Sequence, residues 1–180
     1  WAVPEFVGTQ YRIRVMDKND SDTFVESPVF RVQGELGITY PDVGTAPWVI
    51  GSSKTITWNL IHGNIANVAI EGSRVGDFLD TFVITSSTDA DNVSGFSQPA
   101  CPPCGSGDFP WTVAEFSPSI LSTTVKVRVK DANASYAVSS VSTDAFTIKG
   151  NLTVNTPGVT WNVGDTAHNV TWTAFGTVGP

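Results

Sequence analysis

Phe30-Arg-Val-Gln-Gly34, Ile38-Thr-Tyr-Pro41, Trp48-Val-Ile-Gly51, Ile56-Thr-Trp58 and Gly63 return later in the chain. The second set is Phe146-Thr-Ile-Lys-Gly150, Val154-Asn-Thr-Pro157, Trp161-Asn-Val-Gly164, Val170-Thr-Trp172 and Gly176. Gly34 and Gly150 lie 116 residues apart, as do Pro41 and Pro157; Trp48 and Trp161 lie 113 apart, Trp58 and Trp172 114. An offset held over several motifs reads as an internal repeat whose second copy has a slightly shorter loop. Working outward, Trp1-Ala-Val3 answers Trp111-Thr-Val113, and Tyr11-Arg-Ile-Arg-Val15 answers Val125-Lys-Val-Arg-Val129. Residues 1–34 are therefore expected to be the tail of one unit, 35–149 a complete unit and 150–180 the head of a third. On this reading the 180-residue chain is a window on a longer tandem array.

The complete unit is long enough to bury its own core, whereas the two flanking pieces are not. They are expected to be ordered only where the same or another chain supplies what they lack. The seam between units is very short. Gly34-Glu35 and Gly150-Asn151 are the whole linker, which permits far less bending than a Gly/Ser tether and implies a semi-rigid rod.

Period-2 alternation dominates. Val125, Val127 and Val129 face one way and Lys126, Arg128 and Lys130 the other, the pattern of a half-buried antiparallel strand. The complete unit reads as seven strands, 36–40, 54–60, 67–73, 81–86, 108–113, 124–130 and 145–149, separated by Gly-, Pro-, Asn- and Asp-rich turns. Seven short strands in this length imply an all-β, antiparallel two-sheet sandwich. In Ile56-Thr-Trp58-Asn-Leu60 the apolar residues share a face, so Trp58 is expected in the core with Trp111 and Phe146. Val170-Thr-Trp172 repeats the pattern and places Trp172 in like surroundings.

The set Phe-x-Ile-x-Gly, Trp-x-Val-Gly, Ile-Thr-Trp and a later Val-x-Val-x-Asp resembles the Ig-like domain of Ser/Thr-rich fungal cell-wall proteins. It is similar also to tandem Ig-like repeats of large bacterial and archaeal surface proteins. The resemblance covers nearly the whole chain. It implies a fibronectin-III/Ig-type sandwich on a secreted or surface-anchored protein, with structural or adhesive duty and no catalytic residues to carry over. The insertion 89–108 departs from that pattern.

Ten Lys plus Arg against seventeen Asp plus Glu give a net charge of −7, which argues against nucleic acid and anionic membrane partners. No apolar run approaches the ~18 residues of a membrane span. The histidines, His62 and His168, stand in or beside turns and outside any catalytic motif, and carboxylate pairs such as Asp77/Asp80 read as turn residues. No enzyme is expected. Cys101-Pro-Pro-Cys104 lacks the βαβ setting of a redox motif and the second ligand pair of a zinc site. The pair reads as a small disulfide loop within the insertion, contributing about 2 kcal/mol.

Asp17-x-Asn19-x-x-Asp22 and Asp131-x-Asn133 follow equivalent strands. Alternate oxygen ligands can hold calcium, but the turn Gly and distal Glu of a calcium loop are missing, and turns closed on their own backbone fit better. Arg12, Arg14, Lys126, Arg128 and Lys130 lie on the outward face of equivalent strands. They read either as a ridge for anionic glycans or as a solvated face with cross-strand acidic partners. Trp48 and Trp161 read either as sugar-stacking aromatics or as plugs at the end of the sandwich. Asn19, Asn92, Asn133, Asn151 and Asn169 head Asn-x-Ser/Thr sequons, which hint at a cell exterior.

Overall fold

A computed structural model describes residues 1–90, 105–135, 137–155, 160–164, 166 and 168–177. Cys101 and Cys104, with Asn92, lie outside these. All regular structure in the described residues is β-strand. Before the central unit come β1 (Gly8–Tyr11), β2 (Arg14–Met16), β3 (Phe24–Glu26) and β4 (Phe30–Val32). The central unit holds β5 (Glu35–Tyr40), β6 (Trp48–Val49), β7 (Ser53–His62), β8 (Asn67–Ser73) and β9 (Thr81–Asp89). It continues with β10 (Gly105–Thr112), β11 (Ser122–Asp131), β12 (Ser139–Val141) and β13 (Phe146–Lys149). After Gly150 follow β14 (Asn151–Val154) and β15 (Trp172–Phe175).

Two sheets enclose the core. One runs β10-β7-β5; the other runs β6-β13-β11-β8-β9, with β12 also paired to β11. The pairing is antiparallel throughout except where β6 lies parallel to β13, Trp48 opposite Ile148. The wholly antiparallel expectation is corrected at that edge. Alternation explains the layering. Ile56, Trp58 and Leu60 of β7 face Val125, Val127 and Val129 of β11 across the interior, all buried, while Thr55 and Asn59 point to water. Burying apolar area contributes roughly 25 cal/mol per Å², so these buried positions add to the stability of the sandwich.

Trp58 is 0% exposed, and its indole Nε1 donates to the Ala90 carbonyl at 2.8 Å. A side chain at Gly107 would place a Cβ 2.4 Å from the Trp58 ring, so glycine there lets the indole lie flat on β10. The aromatic hub is Trp48 rather than Trp58. Its ring lies 4.4 Å from Phe146 and 5.8 Å from Trp111, and Trp111 stacks on Phe82. Trp48, fully buried, gives its indole N–H to the Tyr40 hydroxyl at 3.2 Å. Packing against three aromatic neighbours removes it from the candidate ligand contacts.

Stretches matched in sequence share several strand pairings. Tyr11 pairs with Phe30 as Val125 pairs with Phe146. The Ser27 amide donates to the Ile13 carbonyl while its hydroxyl accepts from the Ile13 amide; Ser142 does the same with Val127. Val154 lies opposite Trp172 as Ile38 lies opposite Trp58, and Leu152 opposite Ala174 as Leu36 opposite Leu60. Gly63 and Gly176 are both left-handed, with φ of 88° and 86°.

Trp172 departs from its expected surroundings: it is 62% exposed. Its cross-strand neighbour matches that of Trp58. Yet β14 and β15 form a two-stranded ribbon, and the described residues lay no second sheet over it. A β-layer buries a face only against another layer, so Trp172 is not a core anchor here.

Candidate functional site

The outward face of β8, β9 and β11 carries a cavity of about 480 Å³ whose lining includes Ala69, Glu71, Val83, Arg128, Lys130 and Val138. Its position follows from the register, because Arg128 pairs with Glu71 and Lys130 with Ala69, all on the face opposite the core. Strand β8 is buried from Val68 to Ser73, on both faces. The 74–80 loop helps to cover the outer one, since the Ser73 hydroxyl accepts from the amides of Gly76 and Phe78.

Glu71 sits at the centre, only 6% exposed. Arg128 donates through Nε at 2.6 Å, and through Nη2, to its Oε1, while Lys130 Nζ donates to its Oε2 at 2.7 Å. The Arg128 guanidinium also lies over the Phe78 ring, 4.3 Å from its centre. Burial pushes the Glu71 carboxyl up, but the Lys130 and Arg128 hydrogen bonds and their charge outweigh it and hold it below the usual carboxylate range. Asp131 at the cavity's end goes the other way: burial raises it, and the Asn133 amide offsets only part of that.

The remaining ridge cations are engaged too. Arg14 donates to Glu26 at 2.8 Å and lies over Phe24. Arg12 donates to the Ser27 carbonyl, and Lys126 to that of Thr143. Glu26 is thus the cross-strand acidic partner of Arg14, and Glu71 that of Arg128 and Lys130, while Arg12 and Lys126 donate to backbone carbonyls.

The calcium candidates close on their own backbone. Asp17 Oδ1 accepts from the Asn19 amide and Asp131 Oδ1 from the Asn133 amide, each at 2.7 Å. Asp22 donates its amide to Asp20. Among the described residues no group of three His, Cys, Asp or Glu side chains is placed to hold a metal. Trp161 is 41% exposed and stacks flat on His168, ring centres 4.5 Å apart at 10°.

The second charged feature lies near Gly34 and Gly150; the sequence marked Gly63 and Gly176 there as matching glycines and His62 as a turn residue, but neither glutamate. Glu5 Oε2 accepts the Gly63 amide at 2.7 Å, and Oε1 meets His62 Nδ1 at 3.1 Å. The Glu5 carbonyl takes the Asn64 amide, whose side chain in turn accepts the Val7 amide. The Gly63 amide first, then His62, holds the Glu5 carboxyl below its usual range. At the other seam the Glu115 carboxylate accepts the Gly176 amide. The signal was present: Trp1-x-Val-x-Glu5 and Trp111-x-Val-x-Glu115 carry the match two residues beyond the valine. Glu71 and Phe78 left no comparable signal, for a lone glutamate in a strand reads as solvated.

No protein-family model matches the chain, and a comparison with curated proteins returns no match.

Proposed function

We propose that this chain is part of a tandem array of Ig-like β-sandwich units whose duty is mechanical, to extend, space or assemble a secreted or cell-surface protein. One observation carries the reading. Gly150 alone separates β13 from β14, and the ribbon that follows takes up the cross-strand register of β5 with β7. The strand order supports the Ig-like assignment: three strands face a sheet that ends in a short β6 parallel to its last strand. The acidic balance suits a soluble, mutually repelling surface protein. The charged cavity fits the same duty, because its cations and its central carboxylate bind strands together. No catalytic role and no required cofactor belong to this reading.

The test is to stretch a single molecule by its ends. Residues 35–149 are expected to give way in one cooperative step. That step releases roughly 380–410 Å of contour at about 3.3–3.6 Å per residue, less the folded unit's own length. Extension that rises smoothly, with no step, would overturn the mechanical reading.

A second reading, glycan binding, rests on the partly exposed Trp161–His168 stack. Carbohydrate binding that is lost in Trp161→Ala with the fold intact would favour it.

A further inference from the structure

We propose that successive units are locked in one mutual orientation by a carboxylate clasp. A glutamate of one unit closes on the backbone amide of the left-handed glycine that follows the hairpin partner of the next unit's first strand. The inference rests on the reading of the chain as successive units, and it names what holds them. Two separate places in the molecule carry it.

At the first seam β7 ends at His62, and Gly63 turns out of the ladder with a φ of 88°. Gly63 is buried, a buried backbone amide that leaves a ladder needs another acceptor, and Glu5 provides it at 2.7 Å. At the second seam β15 ends at Phe175, Gly176 turns with a φ of 86°, and Glu115 provides the acceptor. Charge on the acceptor makes such a bond stronger than a neutral one.

The surroundings recur as well. A Cβ on Gly63 would lie 2.7 Å from the Gly34 Cα and 2.7 Å from Val7; one on Gly176 would lie 3.1 Å from the Gly150 Cα and 3.4 Å from Leu121. Val7 and Leu121 hold the same place before Gly8 and Ser122, the first residues of β1 and β11. Each seam therefore brings two glycine backbones against each other, sets apolar side chains beside them (Val7 at the first, Leu121 and Ile50 at the second) and closes them with one carboxylate. The partner this surface fits is the glycine-ended hairpin of another unit of the same kind. Close backbone approach excludes side chains that could slide, so the clasp fixes an angle as well as a contact. The imidazole of His62 adds a second donor to the first clasp only, since Phe175 occupies the corresponding place in the other.

Spin labels on Thr55 of β7 and Thr173 of β15, both exposed, report the second seam in the full chain. Labels on Thr55 and Thr81 report the central unit alone. The expected result is a single narrow Thr55–Thr173 distance distribution that loses its narrow peak in Glu115→Ala, while the Thr55–Thr81 distribution stays as it was. Gly176→Ala, which strains the turn and pushes a Cβ toward Gly150, is expected to reproduce the loss. Exchange of the Gly176 amide proton in Glu115→Ala is expected to quicken roughly ten- to a hundred-fold, the worth of one charged-acceptor bond. A Thr55–Thr173 distribution as narrow in Glu115→Ala as in the parent overturns the clasp and leaves the rod standing. A broad distribution in the parent overturns both.

Discussion

Trp58→Ala is expected to lower the unfolding free energy of the central unit by about 3–5 kcal/mol, whereas Trp172→Ala should change it by less than about 0.5 kcal/mol. The two tryptophans stand in the same sequence motif and opposite equivalent cross-strand neighbours, so propensity and pairing cannot separate them. Burial does. Trp58 is enclosed between the sheets and its loss leaves a cavity as well as an unpaired carbonyl at Ala90. Trp172 lies on a ribbon with one layer and surrenders little by truncation. Denaturant unfolding of both variants decides the matter. The Trp58 variant should show a lower midpoint at an unchanged slope. Equal effects at the two positions would contradict the packing described.

Glu71→Ala should cost roughly 2–3 kcal/mol, below the usual loss for breaking a fully buried ion pair because Arg128 and Lys130 keep partial contact with water. Arg128→Ala or Lys130→Ala should each cost less than Glu71→Ala, since the remaining cation still satisfies the carboxylate. The pH dependence has a definite sign. A carboxyl held lower in the folded chain than in the unfolded one adds stability above its unfolded value. That stability disappears as pH falls through the folded value. The gap between parent and Glu71→Ala should therefore shrink on acidification below the ordinary carboxylate range. Asp131 works in the opposite sense. Its raised carboxyl favours the folded state when protonated, so its contribution weakens as pH rises. Chemical denaturation of the parent, Glu71→Ala and Asp131→Asn across an acid series checks both, and a parent-to-Glu71→Ala gap that does not vary with pH would count against the ion-pair account.

The β-architecture was legible because alternation is a direct image of a half-buried sheet. All seven strands expected in the central unit are present, and Asn67–Ser73 has the same bounds in sequence and structure. Strands β6 and β12 escaped notice, for two or three residues are too few to show a period. Trp48 was ambiguous for a related reason. An aromatic residue after a loop reads alike whether it plugs the core or faces a ligand, and only the packing of Phe146, Trp111 and Tyr40 around it decides. Glu71 was invisible because it lies on a face that alternation assigns to water, where Arg128 and Lys130 of another strand close on it and Phe78 packs on Arg128. The seam was half legible. Repetition marked the two-residue linker, but the partner of each glycine amide comes from about 60 residues away, Glu5 for Gly63 and Glu115 for Gly176. A match between two stretches of sequence does not show which groups either residue touches.

The ribbon after Gly150 is expected to be the opening hairpin of the same fold that begins at Glu35. Cross-strand nuclear Overhauser contacts in the intact chain test this most directly. They should join Val154 with Trp172 and Leu152 with Ala174, mirroring Ile38 with Trp58 and Leu36 with Leu60. A slip of one residue, with Trp172 facing Thr153 or Asn155, would turn every side chain to the other face and contradict the equivalence.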